Sequence, residues 1–451
     1  MAATDSREGD LWLSAVALAV AAGALSYALQ DNNGNLSPTA LGLLTLTIAC
    51  VTLVVVHPRI PALERWADQP AMLILGAAIA GEIGLSLITP AGMYLRVGPT
   101  TYLVHHLLVA AAAVLAGTQL SEKPWLGRAG MVLLLGVHFA LGLWVVNASP
   151  APSIDVYVWH RAAFQAVSQG TSPWGISIPN IYGHVAFYSP EVATPARVNI
   201  GYPYPPLSLI FTGLGNLLGD FRYANAAALT ATGALLAWMR PGRLSRAAAI
   251  LFLFTPRELF VLEQGWTEAH VVLVFAAVVF AAARSPRFLR WAYAALLMVK
   301  QYGVFTAPLL ALLVRPWKEW RKEVLWAAGL AAAVTVPFAL WDLEGFFRSV
   351  VMFQVKQPFR GEALSYMAWT AQNGAPVLPQ WLTFAILPIP VALALWRAPR
   401  TPAGFAASSA LLFVLFFAFA KQAFCNYYFF VLGMICTALS AIAQGSPGEK
   451  A

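Results

Sequence analysis

The chain has 451 residues, of which 59% are hydrophobic and 11% charged, and a formal charge of +8. Soluble domains carry roughly 25% charged residues, so a soluble globular fold is excluded and an all-α polytopic membrane protein is expected. In such a chain the positive excess marks cytoplasmic loops and not a nucleic-acid surface.

Five apolar runs open the sequence, near 11–29, 39–56, 71–90, 101–117 and 129–147. Most approach the roughly 20 residues that a bilayer requires. Asp5, Glu8 and Asp10 precede the first run, which is long enough to stay as a span, so no cleaved signal peptide is expected. After the fifth run comes the most informative segment, 148–203, a polar and aromatic stretch whose first carboxylate is Asp155, shortly after Val146. A carboxylate at the water-facing end of a span, opening a loop rich in Tyr, Trp and Pro, suits an enzyme at the membrane surface better than a channel. Asp155 also fits an N-cap for the helix VYVWHRAAFQAVSQG, with Gly170 as its stop.

Segment 204–218 begins with Pro205 and Pro206 and contains Gly213 and Gly215, which predicts a re-entrant or interfacial helix. Further apolar runs lie near 222–239, 246–262, 268–284, 323–341, 381–396, 403–420 and 425–443. Segment 288–315 is flanked by Arg284, Arg287 and Arg290 on one side and by Arg315, Lys318, Arg321 and Lys322 on the other. Both flanks should face the cytoplasm, so the chain must enter and return as two short helices meeting at Lys300-Gln301-Tyr302. Arg59, Arg65, Lys123, Arg128, Arg240, Arg243, Arg246, Arg397 and Arg400 fall on that same side. Loops 30–38, 148–203, 263–267, 342–380 and 421–424 fall on the opposite one. The total is about 14 crossing or half-crossing helices, with both termini cytoplasmic and a large external loop after the fifth span.

On the outer side this topology gathers Asp155 and Arg161; Tyr182, His184 and Tyr188; Tyr202 and Tyr204; Arg257, Glu258, Glu263, Gln264, Glu268 and His270; Lys300 and Gln301; Arg360, Glu362 and Ser365; and Lys421, Gln422 and Asn426. Ionisable groups near the bilayer are costly and are usually paired or functional. Plainer roles exist for several of them. Lys300 can snorkel from a helix end, Glu263 and Glu268 can form a rim network with Arg257, His184 can be merely solvated, and His138 can be a packing histidine. Cys50, Cys425 and Cys436 read as buried hydrophobes. No pair of His, Cys or carboxylates shows zinc spacing, so no protein metal site is expected, and without a DxD, phosphate-loop or GxSxG element no nucleotide-dependent chemistry is expected either.

Outside the cytoplasmic membrane, glycosyl transfer uses a sugar carried on a polyprenyl phosphate. That reaction needs a carboxylate base, cations facing the departing lipid phosphate and an apolar groove for the lipid tail. Asp155 supplies the base. Lys300, Gln301, Arg257 and Arg360, together with Lys421, supply donor-phosphate contacts. Tyr157, Trp174, Tyr182, Tyr204, Glu263 and Glu268 are the candidates for holding sugar and acceptor.

The string IDVYVWHRAAFQAVSQGTSPW resembles the first large external loop of bacterial membrane glycosyltransferases of the GT-C superfamily. It is most similar to the polyprenyl-phosphate-mannose-dependent, alpha-mannosyltransferase-like group of glycosyltransferase family 87 type. There an Asp follows the first core helix, then an amphipathic helix and a Gly-x-x-Pro-aromatic turn, here Asp155 and Gly170 to Trp174. YPYPPLSLI, GDFRYANA, EQGWTE, KQYGVFTAPLL and QPFRGEALS resemble that group as well, covering most of 150–370. The resemblance implies a GT-C fold in the bacterial cytoplasmic membrane with an outward-facing site. It implies inverting transfer of mannose or another sugar from a polyprenyl-phosphate donor to a lipid or glycan acceptor, with Asp155 as base, and leaves room for Mg or Mn. Residues 129–443 then form the catalytic module, and 1–128 are an N-terminal extension. Trp174 departs from the more usual Tyr. The competing readings are a transporter or flippase of a lipid-linked saccharide, and an outer-face glycan ligase. The first predicts polar residues on both faces and an internal repeat that the sequence does not show.

Overall fold

The computed structural model describes residues 12–56, 68–121, 124–185 and 187–442. Arg59, Arg65, Lys123 and the two termini, which entered the topology argument, lie outside the described residues.

Five long helices come first: α1 Trp12–Gln30, α2 Pro38–Val56, α3 Asp68–Ile88, α4 Pro99–Leu120 and α5 Gly127–Ala148. The segment after them holds α6, Asp155–Ser168, and a two-residue antiparallel ribbon, β1 Ile178–Pro179 with β2 Arg197–Val198. Helices α7 Pro206–Asn216, α8 Arg222–Met239, α9 Arg243–Phe254, α10 Pro256–Gln264, α11 Glu268–Arg284, α12 Leu289–Val299 and α13 Trp317–Trp341 follow. The last group is α14 Leu343–Phe346, α15 Phe353–Lys356, α16 Tyr366–Gln372, α17 Trp381–Ala385, α18 Pro388–Arg397, α19 Pro402–Ala418 and α20 Cys425–Ala441.

Among the described residues, six helices are long and apolar enough to cross a membrane: α1 to α5 and α13. The α10–α11 pair, bent by 118°, makes a seventh if it counts as one span. This is the architecture of an all-α membrane protein. The second half is where the long spans expected from apolar runs break up, and the breaks have local causes. The run 246–262 divides at Pro256, which opens α10 where its missing N–H costs nothing. The run 381–396 divides before Pro388. Gly265 ends α10 with a left-handed φ of 71°, and a Cβ there would stand 2.7 Å from the Phe221 ring.

Helix α6 ends as its sequence predicts. Gly170 takes φ 71°, its N–H donates to Val167 O at 3.0 Å, and Thr171 N donates to Ala166 O at 2.9 Å, the paired bonds of a glycine-terminated helix. The start differs from expectation. Ile154 occupies the cap position, and Asp155 is the first helical residue. Helix α7 spans 11 residues, about 17 Å, with Leu214 exposed near its end and Leu217 and Leu218 exposed just beyond it.

The reversal expected at 300–302 is present. α12 stops at Val299, Lys300 is extended, and 3-10 turns follow at Gln301–Thr306 and Pro308–Leu312. Gly303 lies so close to α12 that a Cβ would sit 2.3 Å from Leu296 O. In a continuous helix seven residues would separate these groups by about 10 Å.

The segments 1–128 and 129–443 share one apolar core. α1 packs on α20 as well as on α2 and α3, α2 packs on α19, and α3 packs on α9. A second, smaller core of Trp159, Trp174, Tyr188, Tyr202, Tyr204 and Phe353 fastens loop 148–203 to loop 342–380. Ser349 links them too, donating to Trp174 O at 3.1 Å and accepting from Gly201 N at 3.0 Å. By contrast α13 buries a single side chain, Ala327, along its 25 residues.

Replacing Gly303 by Ala should destabilise the protein by about 1–3 kcal/mol, because the obstructing atom is backbone. Gly329→Ala, in open space on α13, serves as the control and should be neutral or slightly stabilising. Thermal unfolding of both variants in detergent checks this; equal midpoints would mean that the chain does not reverse there.

Candidate active site

A cavity of about 320 Å³ lies beneath the two joined loops. Asp155 lines it from the start of α6, Tyr182 and Tyr188 from loop 148–203, Tyr204 from before α7, Lys300 from the reversal, and Arg360 from loop 342–380. Asp155 is the only carboxylate among its described lining residues. Its side chain accepts from the Val156 N–H at 2.7 Å and from the Tyr188 hydroxyl in a short hydrogen bond. Burial pushes the Asp155 carboxyl above the usual carboxylate range, while the Tyr188 and Val156 hydrogen bonds and the Arg360 charge pull it back. Burial and the Asp155 charge push the Tyr182 and Tyr188 hydroxyls up, so both remain neutral; Tyr188 donates to the carboxylate, and Tyr182 accepts from the Asp155 N–H at 3.4 Å. The carboxylate is thus partly withdrawn from water, raised above the ordinary carboxylate range and held by the Tyr188 hydroxyl and the Val156 N–H, a setting that suits a general base.

Lys300 is not a free cation. Its Nζ lies 3.0 Å from Glu268 Oε1 and 2.8 Å from Thr267 Oγ1, and 4.4 Å from the Tyr204 ring centroid. Glu268 is fully buried and also accepts from Tyr302 at 3.4 Å. Sequence reasoning set Glu268 beside Arg257; its partner is instead Lys300. Arg257 spends its donors on Gln30 Oε1 at 2.8 Å, Asn33 Oδ1 at 2.7 Å and Pro90 O at 3.3 Å, which ties the end of α1 to α10. Glu263 receives the Met93 and Tyr94 N–H groups at 2.6 and 2.8 Å. Tyr157 donates to Pro150 O at 3.1 Å. Trp174 is fully buried against Phe338 and Phe346 and donates to Tyr204 O at 3.3 Å. Arg257, Glu263, Tyr157 and Trp174 therefore lie outside the cavity lining, and their bonds serve the walls.

A second cavity, of about 220 Å³, adjoins the first through Lys300, Gln354, Gln357, Gln422 and Tyr427, which line both. One part of it is apolar, with Phe305, Phe384, Phe416 and Phe417; another is polar, with Lys421, Gln380 and Gln301. Gln301 donates to Pro203 O and Val350 O at 2.8 and 3.0 Å, so its amide mainly joins the reversal to the loops. Lys421 donates to Val355 O at 2.8 Å and to Gln380 Oε1 at 3.1 Å. Burial pushes its ammonium down to about 8. Arg360 is paired with Glu362 and lies 3.7 Å from the Phe187 ring centroid.

Several lining residues escaped the sequence reading. Asn33, Asn35 and Met93 bring the N-terminal helices into the site wall, and Gln354 and Gln357 join the two cavities. The polar DNNGN turn after α1 was a usable signal: its Asn32 and Asn33 adopt left-handed φ values of 51° and 56°. His138, expected to pack, pairs its Nδ1 with Thr230 Oγ1 at 2.8 Å, while its buried Nε2 lies 3.2 Å from Glu258 Oε1 without forming a hydrogen bond. Among the described residues no group of three or more His, Cys, Asp or Glu side chains could hold a metal ion. Asp155 alone is a poor chelating set for a divalent cation.

Searches against family models, curated proteins and solved structures find no match to this chain.

Two outcomes follow from this geometry. Lys300→Met leaves Glu268 as an unpaired buried charge and should cost about 3–5 kcal/mol, much of it regained in Lys300→Met/Glu268→Gln; chemical denaturation of the three proteins checks the coupling. Tyr188→Phe removes a hydrogen bond that favours ionised Asp155. A base works only when deprotonated, so activity is lost as pH falls through its pKa. The acid limb of the pH–rate profile should therefore move to higher pH in Tyr188→Phe, and an unmoved limb would remove Asp155 from that role.

Proposed function

We propose that this protein is an integral-membrane glycosyltransferase of the GT-C type that moves a sugar from a polyprenyl-phosphate donor to a lipid or glycan acceptor. The observation that carries the reading is the pairing of two connected cavities. One joins a desolvated carboxylate, Asp155, to Lys300 and Arg360; the other joins Lys421 to a group of phenylalanines. The first accommodates a sugar among Tyr182, Tyr188 and Tyr204. The second accommodates a phosphate and the beginning of an isoprenoid tail.

In this reading the acceptor hydroxyl oxygen attacks the anomeric carbon and Asp155 takes its proton. The bond from that carbon to the phosphate oxygen breaks, and the lipid phosphate departs with the bonding pair. Attack opposite the leaving group inverts the anomeric centre. Lys421 and Arg360 stabilise the charge that grows on the leaving oxygen. Lys300, neutralised by Glu268, orients that region with its remaining N–H. The shorter and broken apolar helices of the second half complete a set of about 14 crossing or half-crossing elements, with the site on the outer face of the bacterial cytoplasmic membrane. The basic ends of α8, α9 and α11 support that orientation. Membrane lipids and a lipid-linked donor are the partners, and no nucleic acid takes part.

The test is transfer by the purified protein from synthetic polyprenyl-phosphate sugars to endogenous lipid acceptors, followed by mass spectrometry. Asp155→Asn should fold normally and transfer at least about 100-fold more slowly. Activity of Asp155→Asn equal to that of the unaltered protein would overturn the assignment.

A further inference from the structure

A third polar cavity, of about 370 Å³, lies at the other ends of the helices that build the site. It is lined by Arg128 at the start of α5, Arg240 and Trp238 at the end of α8, Arg246 in α9 and Arg284 at the end of α11. Asp155 follows the far end of α5, and Lys300 meets Glu268 at the far end of α11. Helices of 22, 18 and 17 residues separate the two ends, roughly 26–33 Å and so about one hydrocarbon thickness.

Four arginines line this cavity, Arg128 and Arg284 from its exposed rim, and no carboxylate is among the described lining residues. Arg246 donates to Gln119 O at 2.8 Å and Ser121 O at 3.0 Å, which anchors it in place. The Nε of Arg240 is shielded from solvent and finds no acceptor among the described residues. A buried guanidinium N–H without an acceptor is costly, and four like charges around one concavity repel, so both features call for an anion with several acceptor oxygens. All four cations are arginines, whose planar forks match phosphate oxygens in a way that lysine does not.

The surroundings identify the carrier of that phosphate. Val132 and Leu133, one turn beyond Arg128 on α5, are 57% and 54% exposed. Trp238, 38% exposed, borders the cavity as an interfacial anchor does. A soluble anion would use the arginines alone; a lipid would use the arginines and lay its chains along the exposed apolar side chains. We propose that this cavity binds the phosphate headgroup of an anionic bilayer phospholipid in the leaflet opposite the Asp155 site. The arginines place that leaflet on the cytoplasmic side.

The experiment uses the full chain in detergent. Thermal stability and native mass spectrometry are read while phosphatidylglycerol, phosphatidylcholine or inorganic phosphate is added, for the unaltered protein, Arg240→Gln and Arg284→Gln. Phosphatidylglycerol should bind and raise the melting temperature more than phosphatidylcholine. Each substitution should weaken phosphatidylglycerol binding about fivefold, given roughly 1 kcal/mol per basic residue near a membrane surface. Arg284 lies at the exposed rim, so its variant tests the site even if Arg240→Gln fails to fold. Unchanged phosphatidylglycerol binding in Arg284→Gln would overturn the proposal. So would inorganic phosphate reproducing the full effect with the same sensitivity to both substitutions, because the ligand would then be a free anion.

Discussion

The buried pair of Lys300 and Glu268 is the interaction on which the rest of the site depends. Lys300 stands where α12 ends and the chain turns back, and Glu268 opens α11 just after the bend at Gly265. Two broken helices would each leave unpaired backbone groups and an isolated charge inside the protein. Bringing them together lets each charge offset the desolvation of the other. Thr267 and the rings of Tyr204 and Tyr302 complete the shell around the ammonium, and the Tyr302 hydroxyl donates to Glu268. A lysine that appeared well suited to meeting a phosphate is thus mostly occupied in holding two breaks in register.

The consequence for chemistry is a division of labour among cations. Arg257 and Lys300 are internal ties, one binding the first helix to the bend and the other binding the bend to the reversal. Arg360 and Lys421 face the cavities with fewer obligations, and Lys421 bonds only to neutral acceptors among the described residues. The carboxylates divide in the same way. Glu263 clamps the backbone at Met93 and Tyr94, and among the described carboxylates Asp155 alone lines the first cavity.

Much of this was legible in the sequence. The helical membrane class followed from composition, the α6 stop from Gly170, the reversal from flanking arginines and lysines, and the long break between spans at 148–203 from its loss of apolar continuity. The pairings were not legible, because partners such as Lys300 and Glu268, or Arg257 and Asn33, are far apart in the chain and each side chain had several plausible mates. Trp174 shows the same limit. Aromatic residues in a loop suit sugar stacking and loop cores equally, and only the surrounding Phe338 and Phe346 decide between them. The long-span count was also hard to read, since apolar runs in the second half give no sign of how sharply Pro256, Gly265 and Pro388 redirect them.

Phe384 lines the second cavity while leaving about half of its own surface exposed, 49%. An opening edged by an exposed phenylalanine faces hydrocarbon more readily than water. A molecule arriving through it travels in two dimensions, and its encounter rate follows surface density, not bulk concentration. Diluting the surrounding bilayer with inert lipid would then slow the protein as effectively as removing substrate, and any half-saturation constant for such a substrate has its natural unit in mole fraction of the membrane.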